Sequence, residues 1–148
     1  ITAACKMLSL AIMEGGGILK IKIIMTEHQI QSEYFKILTW NESKYPDLRF
    51  VFACPNGGKR SIGVAVKMKR EGVKRGVPDI YIPFVMQYGI RYSPGKWLET
   101  KTDIGKQSKE QKEYQKFLEG EGYEYALCRS VNELLDETEN YLQIKLSR

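Results

Sequence analysis

Apolar positions along the chain alternate between the period of a helix and the period of a strand, and each switch marks a new element. After Thr26, residues Ile30, Tyr34, Ile37 and Leu38 share one helical face, and Thr26-Glu27-His28-Gln29 offers a capping box to start it. Glu27 falls within that apolar face, Gln31 lies beside it and Glu33 lies toward its edge. A carboxylate on a buried face is costly unless it has a partner, although a first-turn acid also suits the helix dipole. Arg49 to Cys54 (RFVFAC) reads as a strand and is broken by Pro55-Asn56-Gly57-Gly58-Lys59-Arg60. Ser61 to Glu71 predicts a short helix stopped at Gly72.

Gly76-Val77-Pro78 leads into Asp79 and a strand, Ile80-Tyr81-Ile82. The turn signal Ser93-Pro94-Gly95 precedes a second strand, Lys96 to Thr102. Ser108 opens a helix that places Gln111, Tyr114 and Leu118 on one face and ends between Gly120 and Gly122. Tyr123 to Cys128 reads as a strand. Ser130-Val131-Asn132-Glu133 then caps a last helix with Leu134, Leu135, Thr138, Tyr141 and Leu142 inward. Alternating helices and strands predict an α/β fold with a mixed central sheet flanked by helices.

A length of 148 residues suits one domain able to bury its own core. Residues 1–24 differ from the rest. They begin at Ile1, contain Gly15 to Gly17, and end in the alternating run Ile18 to Ile24. Two readings stand: a translated ribosome-binding sequence and spacer ahead of a natural start at Met25, or an edge strand. The expected division is an atypical leader, 1–24, and a folded domain, 25–148.

Charge adds a partner class. The net charge of +5 and the pI of about 9.0 favour a polyanion such as nucleic acid or an acidic membrane surface. The apolar run Met7 to Met13 is short and ends at Glu14, well under the roughly 20 residues a membrane span needs. Cys5, Cys54 and Cys128 form no CxxC pair, which argues against a zinc ribbon and for a reducing compartment. His28 is the only histidine, so multi-imidazole zinc sites are excluded, and Ser-His or Cys-His catalysis would have to use it. Any enzymatic chemistry falls to carboxylates and lysine.

Glu99-Thr100-Lys101 supplies both. Residues two apart on a strand point to one face, so Glu99 and Lys101 project together while Leu98 and Thr100 face away. Pairing with the strand that follows Asp79 would complete the group. Two carboxylates can hold Mg²⁺, whose remaining positions stay open to water and phosphate. A neighbouring lysine can orient that water or neutralise charge in the transition state. Taken alone, Asp followed later by Glu-x-Lys also describes an ordinary solvated strand face.

More of the chain narrows the choice. EHQIQ (Glu27 to Gln31), PNGGKR (Pro55 to Arg60), EGVKRGVPD (Glu71 to Asp79), ETK (Glu99 to Lys101), SKEQ (Ser108 to Gln111), Gly122-Tyr123 and the helix ending near Tyr141-Leu142 occur in order. From Thr26 to the C-terminus the chain resembles the VRR-NUC domain, a branch of the PD-(D/E)xK nuclease superfamily with a restriction-endonuclease-like core. The resemblance implies Asp79 and Glu99 as metal ligands, Lys101 as the catalytic lysine, Glu27 as a further metal-binding carboxylate, and Gln111 on a helix facing the sheet. Locally, Gln111 also completes a capping box with Ser108. Thr100 stands where the family usually has a larger apolar residue, and the segment from Asp79 to Glu99 is longer than the pattern, as a longer hairpin would make it.

The PNGGKR loop is the expected substrate contact: its glycines admit a phosphate, and Asn56, Lys59 and Arg60 surround it. Lys67, Lys69, Arg70, Lys74 and Arg75 extend a basic stretch toward Asp79 that suits a nucleic-acid backbone. The resulting expectation is an Mg²⁺- or Mn²⁺-dependent endonuclease acting on branched or four-way junction DNA. It would work as a homodimer, with no membrane role, in the cytoplasm of a bacterial or phage-infected cell. The alternatives are a non-catalytic DNA-binding module of the same fold and a sequence-specific restriction-type nuclease.

Overall fold

The structure, a computed structural model, describes residues 8–13, 19–55 and 61–148. In chain order its elements are β1 (Leu8–Met13), β2 (Leu19–Ile24), α1 (Glu27–Asn41), a 3-10 turn (Pro46–Phe50), β3 (Phe52–Ala53), α2 (Ile62–Arg70), β4 (Ile80–Ile82), β5 (Met86–Tyr88), β6 (Arg91–Ser93), β7 (Lys96–Thr100), α3 (Lys109–Gly120), β8 (Glu124–Cys128) and α4 (Val131–Leu142).

The central sheet has the order β3-β4-β7-β8. Its first two pairings are antiparallel and β7–β8 is parallel, so the sheet is mixed. The register sets Ile80 opposite Leu98 and Leu98 opposite Ala126. Those residues, with Ile82 and Cys128, belong to a core completed by Ile30, Tyr34, Ile37 and Leu38 of α1 and Leu134, Leu135 and Tyr141 of α4. The Tyr34 and Thr138 hydroxyls share a buried hydrogen bond of 2.8 Å that ties α1 to α4. Alternation along the strands turns Tyr81, Trp97 and Glu99 to the other face. Tyr81 stacks on Trp97 there with ring centroids 4.3 Å apart. Gly95 lies under that ring, since a Cβ would meet the Tyr81 hydroxyl oxygen at 2.3 Å.

The helix starts follow the caps. Thr26 accepts from the Gln29 N–H and the Gln29 side chain accepts from the Thr26 N–H, a complete capping box. Ser108 and Gln111 form a second one. At α4 only half of the predicted box forms: Ser130 caps Glu133, but the Glu133 carboxylate reaches the Arg129 N–H instead.

Three expectations about strands change. RFVFAC is a strand only at Phe52–Ala53, because Pro46 starts a 3-10 turn that buries Leu48 and carries Arg49 and Phe50. The strand from Lys96 stops at Thr100 rather than Thr102, although the Lys101 N–H still donates to Cys128 at 2.9 Å and extends the ladder by one bond. The long Asp79–Glu99 segment is a separate hairpin, β5–β6, turned at Gly89 with φ of 61°. In the N-terminal segment, β1 and β2 pair antiparallel as a sheet of their own.

Candidate active site

Antiparallel pairing of β4 with β7 brings the start of one beside the end of the other, and Asp79 and Glu99 meet there. Asp79 follows the buried Pro78, and its Oδ2 accepts the Thr100 backbone N–H at 2.9 Å. Glu99 is completely buried. Its Oε1 lies 2.6 Å from the Lys101 ammonium and also accepts from the Gln111 carboxamide. Lys101 is 3.8 Å from Oε1 of Glu27, which arrives from the first turn of α1. The structure therefore brings Glu27, Asp79, Glu99, Lys101 and Gln111 to one place.

Gln111 performs both of its expected tasks at once. Its side-chain oxygen accepts the Ser108 N–H at 2.8 Å, completing the cap, so its amino group is left to face Glu99. The helix cap thereby fixes the orientation of the amide. Glu33, the other acid on that side of α1, is taken up by Lys36 at 3.3 Å on the surface.

The site holds more negative charge than its lysine balances. Burial first, and then the neighbouring Asp79, push Glu99 up to about 7, against the opposing pull of Lys101. Burial also raises Asp79, opposed by the Thr100 N–H and by Lys101. Burial alone would lower Lys101, but its hydrogen bond to Glu99 and the surrounding carboxylates outweigh that and hold it above its ordinary value. It stays an ammonium.

One atom is left over. Glu99 Oε2 is buried with no hydrogen-bond partner. A buried carboxylate oxygen without a donor is costly, and a cation bound there would satisfy it. Among the described residues no three His, Cys, Asp or Glu side chains are grouped to hold an ion by themselves. Asp79 is the carboxylate that acts most strongly on Glu99, while the Glu27 carboxylate faces Lys101. A carboxylate pair fits Mg²⁺, which binds one or two carboxylates and keeps several waters.

Sequence reasoning passed over the residues that hold the surrounding loop. The Arg129 guanidinium donates to the carbonyls of Thr102, Asp103 and Gly105, the last two at 3.1 and 3.0 Å. That staple fixes the turn after Lys101 against Glu27, whose Oε1 would lie 3.4 Å from a Cβ at Gly105. Burial and the charge of Glu99 raise the Tyr125 hydroxyl, whose oxygen accepts from Gln107 at 3.0 Å. No local pattern distinguishes Arg129 or Tyr125, because both act through contacts distant in sequence.

Of the expected nucleic-acid contacts, Asn56, Lys59 and Arg60 lie outside the described residues. Lys67, Lys69, Arg70, Lys74 and Arg75 are all exposed. Helix α2, which carries three of them, buries none of its residues. No helix among the described residues is long and apolar enough to cross a membrane.

The family model of the VRR-NUC domain matches residues 19–132. A solved structure described as a VRR_NUC domain protein is 23% identical, with a TM-score of 0.63 over 82% of this chain and 92% of that chain. At that identity the likeness shows the shared fold alone. No curated protein matches the chain. The family match begins at Leu19 and so includes β2, ahead of the motifs that start at Thr26.

Proposed function

Since the chain belongs to the VRR-NUC family of nuclease domains, we propose that it is a metal-dependent endonuclease that hydrolyses DNA phosphodiester bonds at the Asp79–Glu99–Lys101 site, with a preference for branched DNA. The observation that carries the proposal is the buried, partnerless Glu99 Oε2 beside Asp79.

Asp79 and Glu99 would hold Mg²⁺ or Mn²⁺, with Glu27 at the rim. Such an ion, when bound, polarises the phosphoryl oxygen and lowers the pKa of a coordinated water. The chain's own groups do the rest. The Thr100 N–H pins Asp79 at 2.9 Å, and Gln111 together with Lys101 occupies Oε1 of Glu99, so Oε2 is the oxygen left for an ion. Lys101, held as an ammonium, serves as a cation rather than a base: it orients the attacking water and neutralises the charge that grows on the phosphoryl oxygens. The exposed cations from Lys67 to Arg75 contact backbone phosphates, which favours reading of shape and charge over base sequence. A homodimer would set two sites on the two strands of a branch, and twofold pairs are the commonest closed assembly.

The test is a panel of supercoiled plasmid, linear duplex, flap and four-way junction of matched length, incubated with Mg²⁺, Mn²⁺ or EDTA. Cleavage with either metal, none in EDTA, and faster junction cutting are expected. Undiminished cutting in EDTA would sink the metal assignment. Binding without cleavage under every condition would favour the non-catalytic module. Sedimentation tests the dimer.

A further inference from the structure

Helix α3 carries a second feature beside Gln111. Glu110, Glu113, Tyr114 and Phe117 line an open cleft of about 390 Å³, with Arg75 as its other wall. Their spacing places them on one stripe of the helix. Gln111 lies on the same helix, one residue after Glu110 and three before Tyr114, and its carboxamide holds Glu99. Leu118 is the buried residue of α3, whereas the Phe117 ring remains 59% exposed. Gly76, with φ of 84°, brings the chain so close to the first turn of α3 that a Cβ would lie 2.6 Å from the Glu110 carbonyl carbon. Arg75, the residue before Gly76, therefore lies beside the first turn of α3.

We infer that this cleft receives an unpaired nucleobase of the DNA adjacent to the scissile phosphate. The inference rests on the nuclease reading above and deepens it by naming the structural element of the substrate that is recognised. Phe117 and Tyr114 offer ring faces for stacking. Arg75 is a planar cation that can take the phosphate of the same nucleotide or stack on its base. Glu110 and Glu113 present acceptors to exocyclic amino groups, such as N4 of cytosine, and repel phosphate from the cleft floor. The cleft, at about 390 Å³, has room for a nucleobase. A base stacked inside a duplex cannot expose its face to an aromatic ring, whereas a branch point, bulge or flap can. The cleft therefore supplies a physical reason for a preference for branched DNA.

The experiment uses the full chain and two duplexes of equal length, one continuous and one carrying a single extrahelical 2-aminopurine. Fluorescence is read in EDTA, cleavage in Mg²⁺, for the parent protein, Phe117→Ala and Phe117→Leu. Binding of the parent should quench 2-aminopurine by stacking, and both variants should lose the quench. The preference for the bulged over the continuous duplex should fall roughly tenfold in both variants. Absence of quenching by the parent, or an unaltered preference in a variant that melts like the parent, overturns the inference. If no DNA is cut, the nuclease reading fails and the quench still judges the cleft. If DNA is cut without any quench, only the cleft assignment falls.

Discussion

Strand β7 has a buried lysine near each end, and the two are surrounded differently. Lys96 lies 2.6 Å from Glu137 and 3.2 Å from Glu124, its register partner on β8, and its ammonium sits 5.5 Å from the centre of the Tyr141 ring. Both of its carboxylates reach solvent, with side chains 28% and 38% exposed. At Lys101 the arrangement is inverted. Glu99, the anion, is the group sealed from water, Asp79 and Glu27 add further negative charge, and one Glu99 oxygen has no partner. A buried cation with wet anions is complete as it stands. A buried anion in an excess of carboxylates is incomplete without another cation. Burial of an ion pair therefore does not by itself mark a site; the unsatisfied atom does.

That contrast is open to attack at either end of the strand. The largest effect should come from Lys101→Met or Asp79→Asn, each expected to reduce cleavage by about a hundredfold to a thousandfold while circular dichroism shows a folded chain. A folded variant with parental turnover would remove that residue from the machinery.

The next concerns Glu99 without metal. Because its pKa is raised to about 7 from an ordinary 4.5, the folded chain keeps a proton that the unfolded chain releases. Its contribution to stability is full below about pH 4.5 and is lost as pH rises through about 7. The melting temperature of the metal-free protein should therefore fall over that window, and Glu99→Gln should flatten the fall. Adding Mg²⁺ at about pH 8 should raise the melting temperature of the parent and not of the variant. Identical pH profiles would mean that Glu99 is not the strained group.

At the other end, Lys96→Met should cost about 2 kcal/mol in urea titration. That is less than for a sealed pair, because both carboxylates can rehydrate. Cleavage per folded molecule should be unchanged, and a specific loss of turnover would erase the distinction between the two lysines. The smallest effect is at Thr100, which is fully buried with a hydroxyl that has no hydrogen-bond partner. Thr100→Val should gain about 1 kcal/mol by removing that orphan; a loss would show that the hydroxyl is satisfied in solution.

The sequence by itself determined the helices and the nearest relations within the site. Caps at Thr26, Ser108 and Ser130 and the inward residues of α1 and α4 could be read from spacing, because these signals act within a turn or two. The shared direction of Glu99 and Lys101 follows from the two-residue repeat of a strand. Strand limits were less legible: RFVFAC is an apolar run that suits a strand, but Pro46 and the burial of Leu48 draw Arg49 and Phe50 into a 3-10 segment. Only the tertiary structure decided which oxygen of Glu99 is left unpartnered, that Gln111 caps its helix and holds Glu99 with the same amide, that Arg129 staples the loop beside Glu27, and that Arg75 walls a cleft on α3. Each of those depends on contacts between segments far apart in the chain, whose distances are set by sheet register and helix packing together and by no local pattern.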